Sequence, residues 1–133
     1  MDKIDSVIIE ELRKNSRTPY LKIAKDLKVS EGTIRKRVKN LLSSKKISKF
    51  TIETQEDTFA IVGIETETKT ETKNIVEKIR SFGAGSIYEV TGRFDIICMI
   101  PSTDRERANE ILEQIRAIKG VLHTETFTIL KRN

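Results

Sequence analysis

The first third of the chain repeats its apolar residues at helical spacing. Ile4, Val7, Ile8 and Leu12 predict a helix over 2–14 with Asp2 as its cap, followed by an Asn15-Ser16-Arg17 connector. Ile23, Ala24 and Leu27 predict a second helix over 19–27. Thr18 is its expected N-cap, and Pro19 suits the first helical position because its missing N–H would be unpaired there. Lys28-Val29 turns the chain. Ser30 caps a third helix over 31–43, with Glu31 placed to meet the positive end of its dipole. Ile34, Val38, Leu41 and Leu42 make the buried stripe of that helix. Thr33, Lys36 and Asn40 point away from the stripe, Lys39 lies beside them, and Arg35 and Arg37 occupy the flanks. After the break at Ser43 to Lys46, Ile47, Phe50 and Ile52 suggest a short hairpin or strand. Lys45, Lys46 and Lys49 make it a candidate wing beside the third helix, although a loop with solvated lysines fits the same residues.

From residue 59 the spacing alternates between strand and helix. Residues 59–68 predict a strand, 71–82 a helix on Ile75, Val76, Ile79 and Phe82 that ends at Gly83 and Gly85, and 86–91 and 94–100 two strands joined tightly at Gly92-Arg93. Pro101 stops the second of these. Residues 104–119 predict a helix closed by Gly120, and 121–130 a last strand. That strand sets Leu122, Thr124, Thr126, Thr128 and Leu130 on one face and His123, Glu125, Phe127 and Ile129 on the other. The order βαββαβ is the ferredoxin-like arrangement, a four-stranded antiparallel sheet with both helices on one face. The bare face is expected to carry apolar and Thr residues, and a second copy of the chain would cover it, which predicts a homodimer. The fold class is α+β: a helix-turn-helix, winged if the lysine segment pairs, over 1–52, a polar linker over 53–58, and a ferredoxin-like domain over 59–133.

Charge divides at the same place. Residues 1–50 hold 14 Lys+Arg against 6 Asp+Glu, a net +8; residues 51–133 hold 11 against 14, a net −3. A cationic helix face on a basic module fits a helix placed in a DNA major groove, and the acidic second half argues against nucleic acid there. No apolar run is long enough to span a membrane, and the amphipathic, acid-bearing start is not a signal peptide. A single cysteine, Cys98, inside the run Ile96 to Ile100 reads as a buried structural thiol, so a cytoplasmic protein is expected. An enzyme is disfavoured: with one His, His123, and one Cys there is no metal-site spacing, nucleophile–base pair or phosphate-cradling glycine loop. The second half also lacks the aromatic strand motif of RNA-recognition modules.

Read together, these residues resemble the Lrp/AsnC, or feast/famine, family of transcription regulators, its small archaeal members in particular. Asp2, Asp5, Ile9 and Leu12 match its opening helix, and Asn15 with Arg17 its connector. Ala24, Leu27, Ser30, Thr33, Arg37, Val38 and Leu41 match its helix-turn-helix, and Ile47 and Phe50 the segment leaving it. Thr91-Gly92-Arg93-Phe94-Asp95 matches its glycine–aromatic–aspartate hairpin, and Thr124-Glu125-Thr126 its last strand. The chain departs where the family favours glycine, at Lys28, Lys45 and Lys49. A non-Gly residue at positive φ costs about 1 kcal/mol, so either the turn is slightly remodelled or the added lysines strengthen phosphate contacts.

The resemblance implies double-stranded DNA as partner of the first domain, an amino-acid effector bound by the second at a subunit interface, no cofactor, and a dimer or octamer. On the DNA side, Ser30 and Thr33 would touch phosphates or base edges, Lys36 and Asn40 would enter the groove, and Arg35 and Lys39 would contact phosphate. Arg37 reads as a structural ion pair. On the effector side, Asp95 would accept the ammonium and backbone N–H groups around Gly92 and Arg93 would meet the carboxylate. Thr91, Thr124 and Thr126 would add hydroxyls, and Tyr88 with Glu89 would shape the pocket. The alternative is an architectural DNA-binding protein without an effector.

Overall fold

In a computed structural model of the chain, which describes residues 2–54, 58–101 and 104–133, the backbone divides into two compact units, 1–52 and 53–133. Each has its own core, and the two cores share no residue.

The first unit holds α1 (Lys3–Lys14), α2 (Tyr20–Leu27) and α3 (Glu31–Ser43). Ile8, Leu12, Ile23, Ala24, Ile34, Val38 and Leu41 close its centre, with Ile4, Tyr20, Leu27, Val29 and Ile47 packed around them. Leu42, expected in the stripe, is 38% exposed; Ile34, Val38 and Leu41 suffice to fill the narrow gap against α1 and α2. Asp2 caps α1 by accepting from the Asp5 N–H at 2.9 Å. Thr18 does not cap α2. Pro19 holds that position in extended backbone, and the Thr18 hydroxyl donates to the Asn15 carbonyl at 2.8 Å. A threonine one residue earlier than the cap finds the preceding carbonyl closer than the helix N–H groups.

Lys28 ends α2 in left-handed geometry, φ 57°. The Val29 N–H reaches the Ala24 carbonyl at 3.0 Å and the Lys28 N–H the Lys25 carbonyl at 3.2 Å, a Schellman closure that ordinarily recruits glycine. The turn is therefore not remodelled around lysine; lysine is held where glycine would be relaxed. Lys45 behaves likewise after α3, at φ 60°. Lys28→Gly is expected to raise the stability of this unit by about 0.5–1 kcal/mol. A urea midpoint that falls would show the backbone to be unstrained there.

The expected wing does not form. Residues 47–54 contain no strand; the Ile47 N–H donates to the Leu41 carbonyl at 3.0 Å and Ile47 seats on the core, while Phe50 and Ile52 remain exposed. Of the linker 53–58, residues 55–57 lie outside the described residues.

The second unit contains β1 (Thr58–Thr66), α4 (Thr72–Ser81), β2 (Ile87–Glu89), β3 (Ile96–Pro101), α5 (Arg105–Arg116) and β4 (Val121–Thr128). The strands pair antiparallel in the order β2-β3-β1-β4. Ala60, Val62 and Ile64 from β1 and Ile96, Cys98 and Ile100 from β3 point to one face, where Ile75 and Ile79 of α4 and Ala108, Ile111, Leu112 and Ile115 of α5 cover them. Burial pushes the Cys98 thiol up to about 11.

Two expectations change with the register. The β2–β3 connection is no two-residue turn: the Val90 N–H donates to the Asp95 carbonyl at 2.9 Å, leaving a four-residue loop at 91–94 with Gly92 at φ 123°. Thr124 and Thr126 pair with Ile64 and Val62, so both threonines lie on the helix-covered face. The bare face carries Glu125 and Phe127 of β4 instead, with Ile61, Ile97, Met99 and Tyr88 from the other strands. Phe94 lies there too: a Cβ on Gly63 would fall 2.5 Å from its ring.

Candidate nucleic-acid interface and ligand hairpin

Helix α3 starts where Ser30 supplies an oxygen. Ser30 Oγ accepts from the Thr33 N–H at 3.1 Å and lies 2.8 Å from Thr33 Oγ1, so the two hydroxyls expected at DNA are tied to each other as the helix cap. Lys36, Lys39 and Asn40 are exposed, and neither lysine makes an ion pair among the described residues. Arg35 differs. Its guanidinium bonds Glu31 Oε1 at 2.7 Å and lies over the Tyr20 ring, 5.6 Å from the centroid.

Arg37 does face inward. It reaches across to α1, pairing with Asp2 and, at 3.4 Å, with Asp5. The Asp5 N–H and then the Arg37 guanidinium hold the Asp2 carboxyl below its ordinary value, and Asp2 in turn raises Arg37. A depressed carboxyl contributes stability that is present above its unfolded pKa and lost as pH falls through the folded one. Asp2→Asn is therefore expected to lower the melting temperature of the first unit at pH 7, with the gap to wild type closing below about pH 4. A gap that does not narrow at all as the pH falls from 7 to about 2.5 would show that the charge of Asp2 is not what holds α1 to α3.

In the second unit the hairpin residues are brought close but divide between roles. Asp95 Oδ2 accepts from the Thr66 N–H at 2.8 Å and from its hydroxyl at 3.3 Å, and the Asp95 N–H donates to the Ile64 carbonyl at 2.9 Å. Asp95 thus fastens the hairpin to the end of β1, which takes up one oxygen of the proposed ammonium acceptor. Gly92 has open space where a side chain would stand, so its backbone is approachable. Thr91 is exposed, and Tyr88 is 53% exposed on the bare face. Arg93 lies 5.5 Å from the Phe94 ring centroid and 3.2 Å from Glu125 Oε2. That contact is an ion pair by distance without hydrogen-bond alignment, and the same buried oxygen has no hydrogen-bond donor among the described residues. On the opposite side of the sheet, Thr124 Oγ1 accepts from Arg116 Nε at 3.3 Å, and Thr126 Oγ1 is buried without a partner among the described residues. The seven effector candidates therefore do not all converge within this chain.

Comparison with known proteins fits both units. The profile of the AsnC-type helix-turn-helix domain matches residues 1–42, and that of the Lrp/AsnC ligand binding domain matches residues 59–133. The HTH-type transcriptional regulator LysM of Sulfurisphaera tokodaii is 39% identical over 98% of this chain and 96% of its own length. The chain belongs to the Lrp/AsnC family. Among solved structures, E. coli AsnC superposes with a TM-score of 0.75 at 25% identity, covering 99% of this chain and 93% of that one. The feast or famine regulatory protein of M. tuberculosis complexed with L-methionine superposes at 0.80 with 19% identity, covering 98% and 92%. As an Lrp/AsnC protein the chain is a transcriptional regulator with a ligand-binding domain, and its relatives are regulators, not enzymes.

Three residues of this Lrp/AsnC chain escaped the sequence reading. Thr66 shows as one threonine in a run of alternating Glu and Thr and becomes meaningful only when Asp95 is placed against it. Tyr20 looks like ordinary helix filling until α2 and α3 pack. Glu125 had a signal, a lone acid between His123 and Phe127 on one strand face, that its neighbouring threonines drew attention from.

Proposed function

We propose that this chain is a sequence-specific DNA-binding regulator whose assembly or DNA binding responds to an amino acid held at a subunit interface. Residues 1–52 read DNA, residues 59–133 assemble subunits and take the effector, and 53–58 joins them, in the cytoplasm with the DNA. The observation that carries the reading is the exposed face of α3, Lys36, Lys39 and Asn40, whose lysines make no ion pair among the described residues, while both arginines of α3 are engaged by acids. Arginine and lysine suit guanine, asparagine suits adenine, and free lysines neutralise phosphates. Ser30 and Thr33 contribute the helix start.

The apolar bare face, with Ile61, Ile97, Met99 and Phe127, supports a homodimer, and larger assemblies such as an octamer follow if further surfaces pair. Two heads would then span half-sites one helical turn or a multiple apart. An effector at Tyr88, Thr91, Gly92, Arg93 and Asp95 would need Thr124 and Thr126, or their equivalents, from a neighbouring subunit. The relative bound to L-methionine supports an amino acid as its class. Lys36→Ala with Asn40→Ala is expected to cut selectivity between a selected duplex and random DNA by at least tenfold in an anisotropy titration. L-methionine and the other common amino acids are expected to shift the wild-type curve in at least one case. Undiminished selectivity would remove α3 as the reader. No shift with any amino acid would leave an effector-independent architectural protein.

A further inference from the structure

The two sides of Arg35 carry information beyond its charge. A residue that only neutralises phosphate needs no fixed orientation, and Lys39, exposed and without an ion pair among the described residues, is of that kind. Arg35 is built otherwise: Glu31, one helical turn earlier, grips one end of its guanidinium at 2.7 Å, and the Tyr20 ring of α2 backs its face at 5.6 Å. Glu31 also offsets its positive charge, which weakens it as a phosphate contact. What this arrangement gains is a fixed plane. Fixing a guanidinium plane matters only where angle matters, as in the two-pronged contact to O6 and N7 of guanine. Arg35 lies in the N-terminal half of α3, the part of a recognition helix that meets base edges, and 66% of its side chain remains exposed despite both contacts.

From this we infer that Arg35 is a base-reading residue for guanine, and that Glu31 and Tyr20 are its positioning residues. The inference rests on the reading of α3 as a DNA-binding helix and deepens it. It sets Arg35 apart by construction: the held, charge-offset fork reads a guanine beside the contacts of Lys36 and Asn40, and Lys39 supplies attraction.

The test is selection of bound duplexes from a randomised pool by the full-length protein, followed by sequencing, for wild type, R35K, E31Q and Y20L. Thermal melts check that each is folded, which the exposure of Arg35 favours. Wild type is expected to yield one strongly preferred guanine per half-site. R35K keeps the charge and loses the fork, so that guanine preference should fall about tenfold or more while other positions and the salt dependence of binding stay unchanged. E31Q should raise affinity for random DNA, because an anion is removed, and weaken the same guanine position; Y20L should weaken that position alone. If R35K leaves every position intact, Arg35 is a phosphate contact and the inference is overturned. If R35K weakens the guanine but E31Q and Y20L do not, their positioning role is overturned. A wild-type pool without any sequence preference overturns the reading of α3 itself, an outcome distinct from both.

Discussion

Ile34→Ala is expected to abolish DNA binding without touching a DNA-facing residue. Ile34 is fully buried at the centre of a core of seven residues. Removing three carbons from such a site costs about 2–5 kcal/mol, the transfer term plus the cavity. A unit of 52 residues is worth only about 3–8 kcal/mol in total, so one substitution consumes most of it. The melting curve should separate into two transitions, with the helical one moved far down and the sheet unit's unmoved, because the two cores share no residue. Ile34→Val should cost about 0.5–1.5 kcal/mol and leave binding measurable. Retained affinity at 37 °C in the alanine variant would show that the core relaxes around the gap; a single transition shifted as a whole would show that the units do not unfold separately.

The second large effect is expected at Gly63→Ala. Glycine stands in the middle of β1, where it ordinarily weakens a strand, and its reason is the Phe94 ring seated on its backbone. An added methyl would lie 2.5 Å from that ring, so the ring must leave. The cost is expected at about 1–3 kcal/mol, the range of overpacking, and it falls on the hairpin that bears Gly92, Arg93 and Asp95. A double-mutant cycle isolates the cause: in a Phe94→Ala background, Gly63→Ala should be nearly free, a coupling of at least about 1 kcal/mol. Additive costs would mean that glycine is needed for something other than the ring. Because Phe94 is part of the bare face, sedimentation of the Gly63→Ala protein also reports whether that face joins subunits.

How legible this molecule was depends on whether a feature is decided locally. The bounds of α3 and its Ser30 cap follow from spacing and a short-range hydrogen bond, the inward turn of Arg37 follows from its place on the helix although the acids it meets lie in the first residues of the chain, and the βαββαβ order follows from periodicity. Wing and lysine-bearing loop were both open for the segment after α3, and the loop holds: Phe50 and Ile52 alternate as in a strand, but a strand forms only where another supplies its hydrogen bonds. The threonines of β4 were assigned to the wrong side for a related reason. Alternation separates two faces but does not say which one the helices cover, and Thr124 and Thr126 pair with Ile64 and Val62, whose side chains face the helices. Asp95 carried the same ambiguity: its position in the hairpin is visible in the sequence, whereas its bond to Thr66, 29 residues earlier, exists only once β1 and β3 pair.

The burial of Cys98 has a practical consequence. It is the chain's single thiol, fully enclosed between the sheet and its helices, and its raised pKa leaves almost no thiolate at neutral pH. A thiol-reactive dye can therefore modify this protein only during moments when the sheet unit opens. The labelling rate is a built-in stopwatch for those openings, needing no engineered probe. Any effector or DNA that steadies the sheet unit should slow the clock, and one that binds without steadying it should leave the rate unchanged.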